Sequence, residues 1–151
     1  AKRGLENVVN VASTLNASAI AITPINEKSS GKEKVTTNAK KVDKLVISFD
    51  VDNRIAQSGT TDIFVAITDP DGKPVSVEAL GSGTFTAREE GERFFTAKVP
   101  VEIEAGRKKH VEFAWKQNSD FKRGAYKIAI YHNGFKIGEG IRELKKGGLF
   151  G

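Results

Sequence analysis

Between positions 44 and 52 the chain reads KLVISFDVD, with apolar residues at every second place: Leu45, Ile47, Phe49 and Val51. An extended chain sends alternate side chains to opposite faces, so this run predicts a β-strand with one dry and one wet face. Such a strand is stable only with neighbours that complete its hydrogen bonds and a second layer that covers its apolar side. The sequence supplies candidates for both. DIFVAITD is apolar on both phases, at Ile63, Phe64, Val65, Ala66 and Ile67, and is expected at the centre of a sheet. The Pro70, Asp71, Gly72 turn then reverses the chain.

Further strands are expected over 75–80, 84–88, 94–104 and 110–117, separated by the turn-rich stretches REEGER, EAGRK and NSDFKRG. In the third of these Phe95, Ala97, Val99, Val101 and Ile103 are in phase, while Pro100 demands an edge or a bulge. The stretch GAYKIAIYHNGFKIGEG reads as a hairpin, because Asn133 and Gly134 supply the positive φ angles of a two-residue turn. Near the start, SAIAITPI reads as an edge strand on account of Pro24. With the first strand and the last hairpin the total is about nine, at the short intervals of a sandwich or barrel, and no internal repeat is visible.

One segment has a different period. In RGLENVVNVASTLNAS, the residues Leu5, Val8, Ala12 and Leu15 are spaced by three, four and three, which predicts a helix over 4–16 with one apolar stripe. The stripe is the expected association surface, joining copies of the chain into a homo-oligomer as the end of a coiled-coil stalk, or docking as a helix on the sandwich. Residues 26–41, NEKSSGKEKVTTNAKK, are polar and Lys-rich and read as a long connection. The expected organisation is a helix over 1–17, a sandwich over 18–145 and a tail over 146–151.

A chain of 151 residues suits one domain and buries roughly 70% of its unfolded surface, enough for a core without staples. Cysteine is absent, which removes disulfides and thiolate chemistry and is compatible with either redox compartment. Methionine is absent too, so the chain is expected to begin inside a longer gene product. No apolar run approaches the roughly 20 residues of a membrane helix, and no signal peptide is legible; any anchor or export signal is expected upstream.

At RGAYKIAIYHNGFKIG the chain resembles the last two strands of immunoglobulin-like and fibronectin-like sandwiches, in which Gly-x-Tyr-x-apolar opens the penultimate strand. AITDPDGKPV is similar in style to a strand-turn-strand of bacterial exported sandwiches. The resemblance, over about 18–145, implies a mainly β, immunoglobulin-like antiparallel β-sandwich with a short N-terminal helix. It makes Tyr126 the corner tyrosine, ring inside and hydroxyl on a backbone group near the preceding bend. Lys122 stands where an Asp is usual, and Ile128 where antibody domains carry cysteine. Trp115, in phase with Val111 and Phe113, is expected as a core aromatic.

Candidate chemistry is sparse. His110 and His132 each sit at an expected strand end, with no Cys, no second His and no nucleophile elbow beside them, so no catalytic role is expected. Asp50, Asp52, Asp69 and Asp71 are weak calcium candidates, since loops can gather hard oxygens, although Asp-Pro-Asp-Gly is also a favoured turn. Lysines 28, 32, 34, 40, 41, 44, 145 and 146 have no interleaved aromatics, and a charge of +5 is small, so nucleic acid is not expected. No metal or cofactor is expected. The function expected is a noncatalytic interaction or display domain of an exported bacterial protein, periplasmic or at the cell surface, with any membrane contact made only through a segment upstream of this chain. It would contact another protein or an envelope component. The alternative is a carbohydrate-binding module using Phe85, Phe94, Tyr131 and Phe135.

Overall fold

The computed structural model describes residues 15–53, 59–88, 90–117 and 119–145. These hold ten strands: β1 (Leu15–Glu27), β2 (Glu33–Val35), β3 (Lys44–Asn53), β4 (Gly59–Thr68), β5 (Gly83–Ala87), β6 (Gly91–Phe95), β7 (Ala97–Ile103), β8 (Lys108–Trp115), β9 (Gly124–His132) and β10 (Phe135–Leu144). The first sheet has the order β2-β1-β3-β8, the second β10-β9-β4-β7, and β5 and β6 form a separate hairpin; every strand pair is antiparallel.

The alternation in β3 decides how the sheets face. Leu45, Ile47, Phe49 and Val51 are almost fully buried and share one core with Ile63, Val65 and Ile67 of β4 and Ile128 and Ile130 of β9. Two sheets whose apolar faces meet in a common core form a sandwich. Trp115, Phe121, Tyr126 and Leu144 belong to the same cluster. After β9, Asn133 and Gly134 take φ of 52° and 83°, so the turn into β10 has the two left-handed residues that a tight hairpin needs. Pro100 lies on β7, an outer strand of its sheet, where a missing N–H costs no ladder bond.

Several expectations need correction. The helix over 4–16 does not extend to its expected end: Leu15 and Asn16 open β1, where Leu15 pairs with Asn53 and is buried. Cross-strand pairing with β3 and burial of Leu15 outweigh the heptad spacing there; Leu5, Val8 and Ala12 lie outside the described residues. Because β1 begins at Leu15, the boundary expected between 17 and 18 cuts through a strand. Over 18–24 β1 pairs with β3 alone, as an edge strand does, and β2 adds a second neighbour only at Ile25, Asn26 and Glu27. Pro24 is accommodated because its carbonyl accepts from the Thr36 N–H, which turns its own N position away from β3.

The polar connection is more ordered than its composition implies. It contains β2 and a 3-10 turn, Ala39–Lys41, capped by the Asn38 side chain and anchored by buried Ala39. The strand expected over 75–80 is absent: Val75 bonds to Ile67, and Glu78–Leu80 is a 3-10 turn that ends on left-handed Gly81. The strand expected over 94–104 is two, broken at Thr96. Thr96 is buried and fully engaged; its hydroxyl accepts from the Ile67 N–H at 2.9 Å and donates to the Val75 carbonyl at 2.7 Å. Its N–H donates to Val65, and its carbonyl accepts from the Ser82 hydroxyl. These bonds hold the point at which the chain leaves the hairpin and joins the second sheet.

One side of the sandwich is closed by contact rather than pairing. A bulge between Ser18 and Ala21, with Ala19 at φ 51°, turns Ile20 onto β10. A Cβ on Gly138 would come within 2.7 Å of Ile20 Cδ1 and 2.9 Å of Ala17 Cβ, so glycine there is what lets β10 approach β1.

Candidate functional site: a trough on the outer face of the second sheet

The outer face of the second sheet is built in rows, because residues paired across antiparallel strands point the same way. Phe64, Tyr131 and Lys136 form one row, Ala66, Ala129 and Glu139 the next, and Thr68, Lys127 and Ile141 the third. The β5–β6 hairpin folds over the first row. Phe85 stacks on Phe64 at 5.0 Å with an interplanar angle of 5°, and leans on Tyr131 at 4.9 Å; Phe95 tilts against Phe64 at 5.0 Å. Arg88 tethers the end of β5 through its N–H to the Gly134 carbonyl and its Nε to the Asn133 carbonyl, with its guanidinium over the Phe135 ring.

The second row stays open because alanine cannot fill it. The result is a trough of about 460 Å³ floored by Ala66 and Ala129, with Tyr131, Glu90 and Arg93 on one side and Thr68, Lys127 and Ile141 on the other. Beyond Arg93 it continues into a second groove of about 360 Å³, between Pro74 and Phe94. One wall is fixed by hydrogen bonds: the Tyr131 hydroxyl donates to Glu90 Oε2 at 2.7 Å, and Arg93 Nη1 donates to the same oxygen at 2.8 Å. Tyr131, together with Arg93 and Lys136, holds the Glu90 carboxyl below its usual range. Burial, with Glu90 adding to it, pushes the Tyr131 hydroxyl up to about 12, so it stays a neutral donor at any physiological pH. On the opposite wall Lys127 has no ion-pair partner among the described residues.

Nothing in the local sequence singles out Ala66 or Ala129. The available signal was the two-phase apolarity of β4, which marks a strand covered on both faces, and the second cover is the hairpin.

The sequence-derived candidates are scattered. Of the four aromatics considered for carbohydrate, Tyr131 is buried, Phe85 is packed against Phe64, Phe135 lies under Arg88, and Phe94 alone is largely exposed. They do not form one exposed platform. The aspartates fall at opposite ends of the sandwich, Asp50 and Asp52 near the end of β3 and Asp69 and Asp71 after β4. Asp50 accepts from His110 Nδ1 at 2.8 Å. Asp69 accepts the N–H groups of Asp71 and Lys73, and Lys122 bonds both Asp69 and Asp71. Burial alone would raise the Asp69 carboxyl; these donors outweigh it and hold it low. No group of three or more acidic or histidine side chains among the described residues is placed to hold a metal.

His110 is exposed, and its bond to Asp50, with help from Glu112, raises its pKa. His132 is buried, shares 2.9 Å with the Thr61 hydroxyl through Nε2, and is depressed by burial. The two rings lie on different sheets and do not meet. Trp115 is buried in the shared core. The Tyr126 hydroxyl accepts from the Lys122 N–H at 2.8 Å while its ring packs on Phe121. Among the lysines, Lys44 is paired with Glu27 and Glu33, and Lys145 joins the strand end to residues 37 and 39 through its backbone.

Solved structures share the architecture at low identity. A Pseudomonas fluorescens alkylpurine DNA glycosylase, AlkC, bound to DNA containing an abasic site analog, matches with a TM-score of 0.52 at 12% identity, over 91% of this chain and 32% of that one. A Bifidobacterium adolescentis GH3 beta-glucosidase matches at 0.50 and 10%, over 87% of this chain and 17% of that one. Beta-glucosidase 3B from Thermotoga neapolitana matches at 0.51 and 11%, over 88% and 16%. The chain thus spans a third or less of each of these enzymes, and what they share with it is the fold. No curated protein matches the sequence. Over residues 18–145 the chain does match one family, and it belongs to that family, described as Domain of unknown function (DUF8428).

Proposed function

We propose that this domain is a noncatalytic binding module on an immunoglobulin-like or fibronectin-like sandwich, and that the trough is where a protein partner docks. Two observations support the sandwich type. With β1, β3, β4, β8, β9 and β10 taken as strands A, B, C, E, F and G, they divide between the sheets as in immunoglobulin domains. The Tyr126 hydroxyl also bonds backbone four residues upstream, the habit of a corner tyrosine.

The observation that carries the binding reading is the hairpin over the second sheet. It buries Tyr131 and half of an aromatic cluster yet leaves a concave strip of small residues beside a hydrogen-bonded Glu90, Arg93 and Tyr131 wall. A concave surface with fixed polar groups and an apolar floor is the usual form of a recognition site. In the fold neighbours the matching region is a minor part of a longer chain, a setting that suits an accessory module. The test is an NMR titration of the 15N-labelled domain with mixtures of short peptides and of oligosaccharides. Shifts should cluster on Ala66, Thr68, Lys127 and Ala129 with peptides. Shifts confined to the outer face of the first sheet would contradict the trough as the site, and a response to oligosaccharides alone would favour the carbohydrate reading. Turnover of any probe would overturn the noncatalytic one.

A further inference from the structure

We infer that the trough selects an extended, acidic peptide segment of the partner, with a carboxylate seated between Lys127 and Arg93; this rests on the trough being the binding site. Charge complementarity points to such a ligand. The trough itself is lined by three cations, Arg93, Lys127 and Lys136, against two carboxylates, Glu90 and Glu139; a third carboxylate, Glu92, lines only the groove beyond Arg93. Glu90 is already committed, accepting from both Tyr131 and Arg93, and Glu139 faces Lys136 at 3.5 Å. Lys127 is left without a counter-ion among the described residues, and Arg93, bonded through Nη1, retains further N–H donors. A ligand carboxylate between Lys127 and Arg93 meets unspent donors, and Glu92 lies beyond Arg93, toward the apolar Phe94 end.

Shape favours an extended chain. The trough crosses three strands, β10, β9 and β4, about 10 Å between the outer two at the usual strand spacing, and then continues past Arg93. Its two ends are marked by exposed apolar side chains, Ile141 at 64% and Phe94 at 52% exposure. A segment with an acidic centre and apolar flanks would match both the charge and the apolar ends. A neutral sugar would leave Lys127 unanswered and would find Phe94 as its one exposed aromatic among the four considered.

The experiment uses a fluorescein-labelled peptide with a Glu centre between Leu flanks, its Gln-centred counterpart and its Lys-centred counterpart, with anisotropy for affinity and 15N shifts for location. The Glu peptide should bind in the trough about tenfold more tightly than the Gln peptide, weaken as salt rises, and lose about tenfold in affinity with Lys127→Glu. Lys108→Glu, on the other sheet, should leave binding unchanged. Equal binding of the Glu and Gln peptides in the trough, or tighter binding of the Lys peptide, would overturn the acidic preference and leave the docking site standing. Shifts away from the trough with all three peptides would overturn both. Melting curves for Lys127→Glu separate lost binding from lost fold, and Lys127→Gln, with an intermediate loss, supplies a second variant that keeps the site neutral.

Discussion

The two sheets of this sandwich have similar inner faces and opposite outer ones. Outside the first sheet, β3 and β8 present Ser48, Asp50 and Asp52 beside Glu112, His110 and Lys108, with Val46 and Ala114 at one end, a polar surface on which His110 bonds Asp50 across the strands and faces Glu112 along β8. Outside the second, Phe64, Ala66, Ala129 and Tyr131 form an apolar strip that a hairpin partly covers. A sheet face left to water needs only polar residues, whereas an apolar face needs a cover. Where the cover stops short, a concave site is left.

The strongest test of the common frame lies between the faces. Trp115→Ala removes a buried ring from the shared core and should lower stability by about 3–5 kcal/mol, measured by denaturant unfolding. A loss under about 1 kcal/mol would mean that the inner faces are not one core.

The next test separates the outer faces. Phe85→Ala should cost about 2–3 kcal/mol locally, less than a fully buried Phe because Phe85 is only partly buried. The loss should appear as faster amide exchange in β5 and β6, with β1, β3 and β8 unchanged. Val46→Ala, its counterpart on the first sheet, should cost no more than about 1 kcal/mol. Similar exchange changes across both sheets would erase the distinction.

Tyr126→Phe keeps the packing but leaves the Lys122 N–H without its acceptor, for an expected loss of about 1–2 kcal/mol. An unchanged midpoint would show that solvent satisfies this group.

The histidines give the smallest effects, with opposite signs. His110, raised above the ordinary 6.5 by Asp50 and Glu112, contributes stability that is present below 6.5 and lost as pH rises through its raised value. His132, depressed by burial, contributes stability that is present above 6.5 and lost as pH falls through its lowered value. Ring NMR titrations should therefore bracket 6.5, with His110 above and His132 below. The reverse order would contradict the placement of one ring outside and one inside.

Much of the frame was legible where one physical cause dominated. Alternation in β3 has no rival explanation, and Asn133-Gly134 demands left-handed angles wherever it falls. The reading failed where two causes competed. Leu15 fits a heptad and a strand equally well, and its pairing with Asn53, 38 positions away in sequence, decided the matter. The break at Thr96 is invisible locally, because its reason is the set of partners Val65, Ile67, Val75 and Ser82 brought together by the fold. The trough was least legible of all. Its floor is alanine, which carries no chemical signature, and it exists because the hairpin covers one row and leaves the next.

The most direct test of that account fills the floor. Ala129→Phe places a ring in the open row from the floor, on the face of β9 opposite the core residues Ile128 and Ile130, and its melting temperature should stay close to that of the parent. Titrated with the Glu-centred, Leu-flanked peptide, the parent domain should show saturable shifts on Ala66, Thr68 and Lys127, and the filled domain should show none. A filled, folded domain that still binds the peptide with the parent's affinity would contradict the claim that the trough is the recognition surface.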